Sequence, residues 1–294
     1  MRPLRHFARL AFALATAFFC VCAPVCFFVA AAVEASSHSS GSASVAYLGF
    51  DTNNYPGDGA LKSLHRTFSF AGYWLNSPPG GTTAPWTGKR SILRTEGFGF
   101  LVLFNGRLER ELGTAKHAAT LGRSDARAAA RAATREGFRP GTVIFLDQEE
   151  GGEMEPNQMA YLLAWFDGML AAHFRTGVYC SGMPAEAGPG LVVTAQNIRE
   201  HAGGRKIVFF VYNDACPPSS GCVYRREPPA PSASGVRFAS LWQFAQSPRR
   251  RKFTTSCAAT YEKDGNCYAP GGTGTSPVLL DLDSATSPDP SHGR

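Results

Sequence analysis

Eight short runs rich in β-branched, aromatic and aliphatic residues recur along this chain, and they commit it to a large sheet. They are Val45–Asp51, Phe70–Asn76, Phe98–Phe104, Thr142–Asp147, Gly177–Ser181, Ile207–Asn213, Phe238–Phe244 and Val278–Asp283. Helical patterns lie between several of them. Ser124 suits the cap of a helix running to about Glu136, where Gly137 stops it. Pro156 to about Phe174 is the clearest helix, with Met159, Leu162, Leu163, Phe166, Met169 and Leu170 recurring at three and four. A shorter helix, Thr194–His201, precedes Gly203-Gly204. Strands alternating with helices make a mostly parallel sheet. Eight such units in about 240 residues predict an α/β fold, a (β/α)8 TIM-type barrel in a single domain. A doubly wound open sheet is the alternative, but no glycine-rich phosphate loop follows the first strand.

The fourth run carries the strongest chemical signal. Thr142–Leu146 reads as a strand buried on both faces, bounded by Pro140-Gly141 and Gly151-Gly152. It ends in Asp147-Gln148-Glu149-Glu150. Side chains alternate across a strand, so Asp147 and Glu149 share one face while Gln148 and Glu150 take the other. Two carboxylates at the end of a buried strand are costly unless something pairs or uses them. One reading is an acid/base pair in a pocket; the other is an acidic strand exit salt-bridged to nearby arginines.

Composition and the amino-terminal segment bound the class. The 294 residues are 44% hydrophobic and 12% aromatic, ample for one sizeable core. Three of the six net positive charges, Arg2, Arg5 and Arg9, stand ahead of the first apolar block. The remainder is only mildly basic, so no nucleic-acid partner is implied. Residues 1–33 read as a signal peptide or an uncleaved amino-terminal anchor: a basic start, an apolar block over 10–33, and Ala30-Ala31-Ala32 as a small-residue cleavage site. Membrane contact is expected only through residues 10–33, and only if they are not cleaved. Residues 34–44 read as a Ser-rich linker, 45–286 as the barrel and 287–294 as a disordered tail. The expected location is secreted or extracytoplasmic, at the cell envelope. An oxidising compartment then favours local pairs Cys216–Cys222 and Cys257–Cys267, with Cys180 left over in an apolar strand. With no CxxC in the body and scattered histidines, no metal is expected, and no cofactor.

In a closed barrel the carboxylates line up. Asp51 ends the first run, Asp147 and Glu149 end the fourth, and Asp281 and Asp283 lie near the end of the eighth. First and last strands are neighbours, with the fourth across from them, so acidic groups from three strands would converge on one mouth. Here the chain resembles a family. Gly49-Phe50-Asp51, Phe145-Leu146-Asp147-Gln148-Glu149, Gly177-Val178-Tyr179, Leu241-Trp242-Gln243-Phe244 and Leu280-Asp281-Leu282-Asp283 fall in the order seen in glycoside hydrolase family 25, the Chalaropsis-type lysozymes. The closer likeness is to the bacterial secreted "glycoside hydrolase-like" domain of unknown function, a barrel relative of those lysozymes. Gly72-Tyr73-Trp74 and Phe209-Phe210-Val211-Tyr212-Asn213 also suit that relative.

The resemblance implies an Asp-x-Glu pair on the fourth strand, aspartates on the first and last, and muramidase action on peptidoglycan. The matching positions are Asp51, Asp147, Glu149 and Asp281. The lysozymes usually carry Asn where this chain has Asp283. Glycosidic cleavage needs one protonated carboxyl at the leaving oxygen and a second carboxylate at the anomeric centre or on a water. Glu149 is the expected acid, because its longer side chain reaches further into the mouth. Asp147 is the expected partner, keeping Glu149 protonated; Asp51 and Asp281 would bind hydroxyls or tune the pair. Trp242, Tyr73 and Tyr179 are candidates to stack on sugar faces, with Asp283 beside them as a substrate-binding candidate. Arg249, Arg250, Arg251 and Lys252 either attract an anionic wall polymer or form a solvated loop. The expected function is hydrolysis of glycosidic bonds in peptidoglycan or a related amino-sugar polymer, with that polysaccharide as partner. The alternative is a non-catalytic carbohydrate-binding or cell-envelope protein on the same barrel.

Overall fold

Each of the eight runs becomes a barrel stave. A computed structural model describes residues 45–213, 227–245 and 280–294. The segment over 1–44, the two cysteine pairs and Arg249–Lys252 lie outside these residues. The staves are β1 (Tyr47–Asp51), β2 (Phe70–Trp74), β3 (Gly99–Asn105), β4 (Val143–Asp147), β5 (Arg175–Ser181), β8 (Ile207–Tyr212), β9 (Leu241–Ala245) and β10 (Asp281–Ala285). A hairpin, β6 (Pro184–Ala187) with β7 (Gly190–Val193), stands apart in a two-stranded sheet. The barrel closes in the order β1-β10-β9-β8-β5-β4-β3-β2. The expected TIM-type α/β barrel is therefore present.

The last strand differs from a regular (β/α)8 barrel. It runs antiparallel to both of its neighbours, β1 and β9, while the other staves are parallel. A reversed strand presents its amino-terminal end where the others present their carboxyl ends. Asp281, the first residue of β10, thus pairs with Asp51, the last of β1. Had β10 run parallel, its first residue would lie at the opposite end of the barrel from Asp51.

Glycines set how large side chains fill the interior. A Cβ on Gly49 would lie 2.2 Å from the Phe70 ring, so β1 yields its space to a fully buried phenylalanine of β2. Burying one such ring stabilises by roughly 1.5–3 kcal/mol.

Helices α1 (Asp58–His65), α2 (Arg90–Thr95), α3 (Ala115–Glu136), α4 (Pro156–Ala171) and α5 (Thr194–His201) follow the staves. α5 has the expected bounds, and α4 starts at Pro156 as expected. α3 begins well before the expected Ser124. Thr114 is its cap, accepting a hydrogen bond from the His117 amide at 3.3 Å, and Gly137 ends it with φ 84°. Gly122, in mid-helix, permits close packing: a Cβ there would meet the Tyr161 carbonyl oxygen of α4 at 2.2 Å. Asp125 is a buried partner of Arg107, at 2.6 and 3.0 Å, and of the Tyr161 hydroxyl at 3.0 Å. Cys180 is a free, buried thiol in β5.

Residues 287–294 correct the expectation of a disordered tail. β3 and β4 pair only from Val102 and Ile144 onward. At their amino ends the tail takes the open backbone groups. The Phe100 amide donates to Asp289 Oδ1, the Val102 amide to Ser291 Oγ and the Val143 amide to the Ser291 carbonyl, each at 2.8 Å. Ser291 is fully buried. Polar residues that looked too hydrophilic to pack are thus held by main-chain hydrogen bonds that a buried strand end requires.

Candidate active site at the barrel mouth

Three aspartates and a glutamate meet at one end of the barrel, as the sequence pattern led us to expect. Asp51, Asp147, Glu149 and Asp281 line one pocket, together with Tyr179, Gln243, Trp74, Phe210, Leu103, Asn53 and Pro79. The cavity is about 110 Å³, room for the reacting end of a ligand rather than for a chain of sugars.

The strands place each group. Asp147 is the last residue of β4 and is 3% exposed. Glu149 lies two residues beyond and is exposed at the rim. Gln148 and Glu150 take the other side, as alternation requires: Glu150 accepts from the Gln158 side chain and the Glu109 amide, both at 2.7 Å. Asp51, 5% exposed, has room because β2 carries glycine beside it; a Cβ on Gly72 would lie 2.5 Å from the Asp51 Cβ. Gln243 Nε2 donates to Asp51 Oδ2 at 2.8 Å, and the Tyr179 hydroxyl donates to Gln243 Oε1 at 2.8 Å. Tyrosine, glutamine and aspartate thereby form a fixed chain across β5, β9 and β1.

Electrostatics divide the acids by depth. Burial pushes the Asp51 carboxyl up to about 6, even though the hydrogen bond from Gln243 favours its ionised form. Asp147 is held well above the ordinary range, first by burial and then by the charges of Glu149 and Asp51. Glu149 is raised too, by loss of solvent contact within the mouth, while its rim position keeps it accessible. In the static geometry neither Asp147 oxygen has a hydrogen-bond partner. A proton shared with Glu149 would hold Asp147 up and Glu149 down, which is the direction of their mutual effect. Asp147 and Glu149 thus form one coupled pair, with Asp147 deep and Glu149 at the rim.

Asp283 lies below the mouth instead of in it. It is fully buried and pairs in register with Gly49 and Gln243. Burial first, then the charges of Asp51 and Asp281 and a hydrogen bond with Asp51, hold its carboxyl well above the ordinary range.

Two of the three aromatic candidates lie elsewhere. Tyr73 faces outward into a core of Trp86, Phe100 and Phe138, with its hydroxyl on Glu136. Trp242 is also fully buried, its indole donating to the Asn213 carbonyl at 2.9 Å. The residues beside them in sequence, Trp74 and Gln243, face the mouth. Tyr179 lines the mouth as expected, though its hydroxyl is spent on Gln243. Gln243 was findable: a lone amide in an otherwise apolar strand requires a buried polar partner.

Residues 87–197 match the model of one family, the Rv2525c-like, glycoside hydrolase-like domain, which is the likeness the sequence motifs carry. The fold is shared with an uncharacterised protein of B. stearothermophilus, 16% identical over 81% of this chain and 95% of that one, TM-score 0.51. It is also shared with the Tat-secreted protein Rv2525c of Mycobacterium tuberculosis, in complex with L-tartrate, 15% identical over 84% and 98%, TM-score 0.50. The Clostridium perfringens spore cortex lytic enzyme SleM is 12% identical over 82% and 68%, TM-score 0.47. At these identities the likeness is one of fold. No curated protein matches the chain.

Proposed function

We propose that this protein is an exported glycoside hydrolase that cleaves glycosidic bonds in peptidoglycan or a related amino-sugar polymer. The observation that carries the reading is the pairing of a buried, proton-retaining Asp147 with an accessible Glu149 on one face of a strand end. Closely coupled carboxyls titrate as a unit, and such a pair keeps one proton near neutral pH. Glu149, the accessible member, delivers that proton to the leaving oxygen. Asp147 holds the shared proton between turnovers and, once ionised, orients a water, or an N-acetyl group later displaced by water, to bond to the anomeric carbon as the leaving oxygen departs; the proton that water releases returns to the pair. Asp51, fixed by Gln243, and Asp281 face the sugar from across the mouth and stabilise positive charge at the anomeric carbon. Export and the envelope location rest on the basic and apolar character of residues 1–33.

The direct test is release of new reducing ends from purified peptidoglycan by the full chain. Turnover supports the proposal. Binding of the polymer without any turnover, on peptidoglycan and on related amino-sugar polymers, would move the protein to the non-catalytic carbohydrate-binding reading.

A further inference from the structure

A second recess among the described residues lies away from the acid mouth. A groove of about 680 Å³ opens between α4, α5 and the starts of β5 and β8. That size lies within the range of roughly 300–1,000 Å³ typical of small-molecule sites. Arg175 begins β5 and Ile207 begins β8, and both line the groove. Tyr179, four residues further along β5, lines the mouth, so the two sites lie roughly 13 Å apart along that strand.

The lining has two characters. Arg175, Arg199 and Lys206 are exposed along it. Among the described residues none of these three has an acidic partner. The fourth cation, Arg205, is already neutralised by Asp167, through hydrogen bonds of 2.7 and 2.8 Å. Arg199 is held in place over the Phe238 ring, 4.3 Å from its centroid, and Phe238 in turn meets Phe209 at 4.9 Å. The rest of the lining is largely apolar: Leu170, 45% exposed and thus unusual for a leucine on α4, the half-buried Ile207 and Val208, and the buried Phe209. Uncompensated cations beside an apolar wall with one exposed leucine match a ligand with one anionic head and an attached hydrocarbon chain. A bare anion would leave Leu170 wet, and a neutral amphiphile would leave the cations unanswered.

We propose that this groove binds a single anionic amphiphile, a phosphate head carrying a short alkyl or acyl chain, taken up as one molecule into the recess. The concave shape is what distinguishes this from docking on a bilayer, which needs a flat or convex face.

The experiment is calorimetric titration of the full chain with octyl phosphate below its micelle concentration, beside inorganic phosphate, octyl glucoside and vesicles of anionic lipid. Octyl phosphate should bind, and inorganic phosphate and octyl glucoside should each bind about tenfold more weakly or worse. The double substitution Arg175→Gln with Lys206→Gln should weaken octyl phosphate about tenfold or more, as expected for losing two charge-assisted contacts. Leu170→Asn should weaken octyl phosphate but leave the response to inorganic phosphate unchanged. All three substitutions are at exposed positions, and thermal unfolding of each variant reports whether the fold is kept. The proposal is overturned if octyl phosphate does not bind or if folded variants bind it like wild type. It is equally overturned if octyl glucoside binds as well, or if only vesicles depend on these residues.

Discussion

The Gln243 side-chain amide donates a hydrogen bond to Asp51 across 2.8 Å, joining two residues 192 positions apart in the chain. The contact exists because β9 and β1 both flank the reversed strand β10. It also sets the charge of the mouth, since a donor to Asp51 favours its ionised form against the burial that opposes it. Replacing Gln243 with Leu should therefore raise the Asp51 pKa above its present value of about 6. It should also orphan the Tyr179 hydroxyl and cost about 1–3 kcal/mol of stability. Carboxyl-carbon NMR titration reads the first effect and urea denaturation the second. An unchanged or lowered Asp51 pKa would contradict the role assigned to this contact.

The buried acids predict a protein that is more stable in mild acid than at neutral pH. Asp51, Asp147 and Asp283 all have raised values in the folded state. The folded protein thus keeps protons that the unfolded chain releases above about pH 4. Stability is fully present below that pH and is lost as pH rises through the folded-state values. For Asp51 alone, a rise from 3.8 to about 6 corresponds to a loss of about 3 kcal/mol. Asp167, held low by its hydrogen bonds to Arg205, has the opposite sign and acts only at the acid end. Asp283→Asn removes one raised acid, so it should match wild type near pH 4 and exceed it at pH 7. Urea denaturation across this range checks the sign; a wild type that gains stability from pH 4 to 7 would refute it.

The carboxyl-terminal tail should carry measurable stability through one hydroxyl. Ser291→Ala leaves the buried Val102 amide without its acceptor and should cost about 1–3 kcal/mol. Ser287→Ala, at a partly exposed hydroxyl that accepts from the Asp289 amide at 3.1 Å, should cost less. Denaturant midpoints of the two variants decide the point. Equal losses would mean that the tail does not act as a brace between β3 and β4.

Most of the architecture was legible from the sequence, for a simple reason. Staves buried on both faces are short apolar runs, and seven of the eight stand out against their surroundings; β10, with two aspartates and a serine, shares only Asp281–Asp283 with the eighth run. The direction of β10 was not legible, because Leu280-Asp281-Leu282-Asp283 reads alike whichever way the strand runs. Burial on both faces also hides which residues point inward. The aromatic candidates on β2 and β9 therefore fell one position away from the mouth, on Tyr73 instead of Trp74 and on Trp242 instead of Gln243. The acids escaped this ambiguity, since a carboxylate in such a strand is tolerated only where water or a partner reaches it. The tail was missed because its contribution lies in backbone hydrogen bonds, which leave no apolar pattern.

The central claim is that Glu149 delivers the proton in glycosidic cleavage, and one comparison tests it. Reducing-end release from purified peptidoglycan should be measured for wild type and Glu149→Gln side by side, at matched fold and stability. An amide at this position cannot donate an acidic proton, while its rim location leaves the core untouched. The account predicts turnover by wild type, a loss of about a hundredfold or more in the variant, and retained polymer binding. Undiminished turnover by folded Glu149→Gln would contradict it.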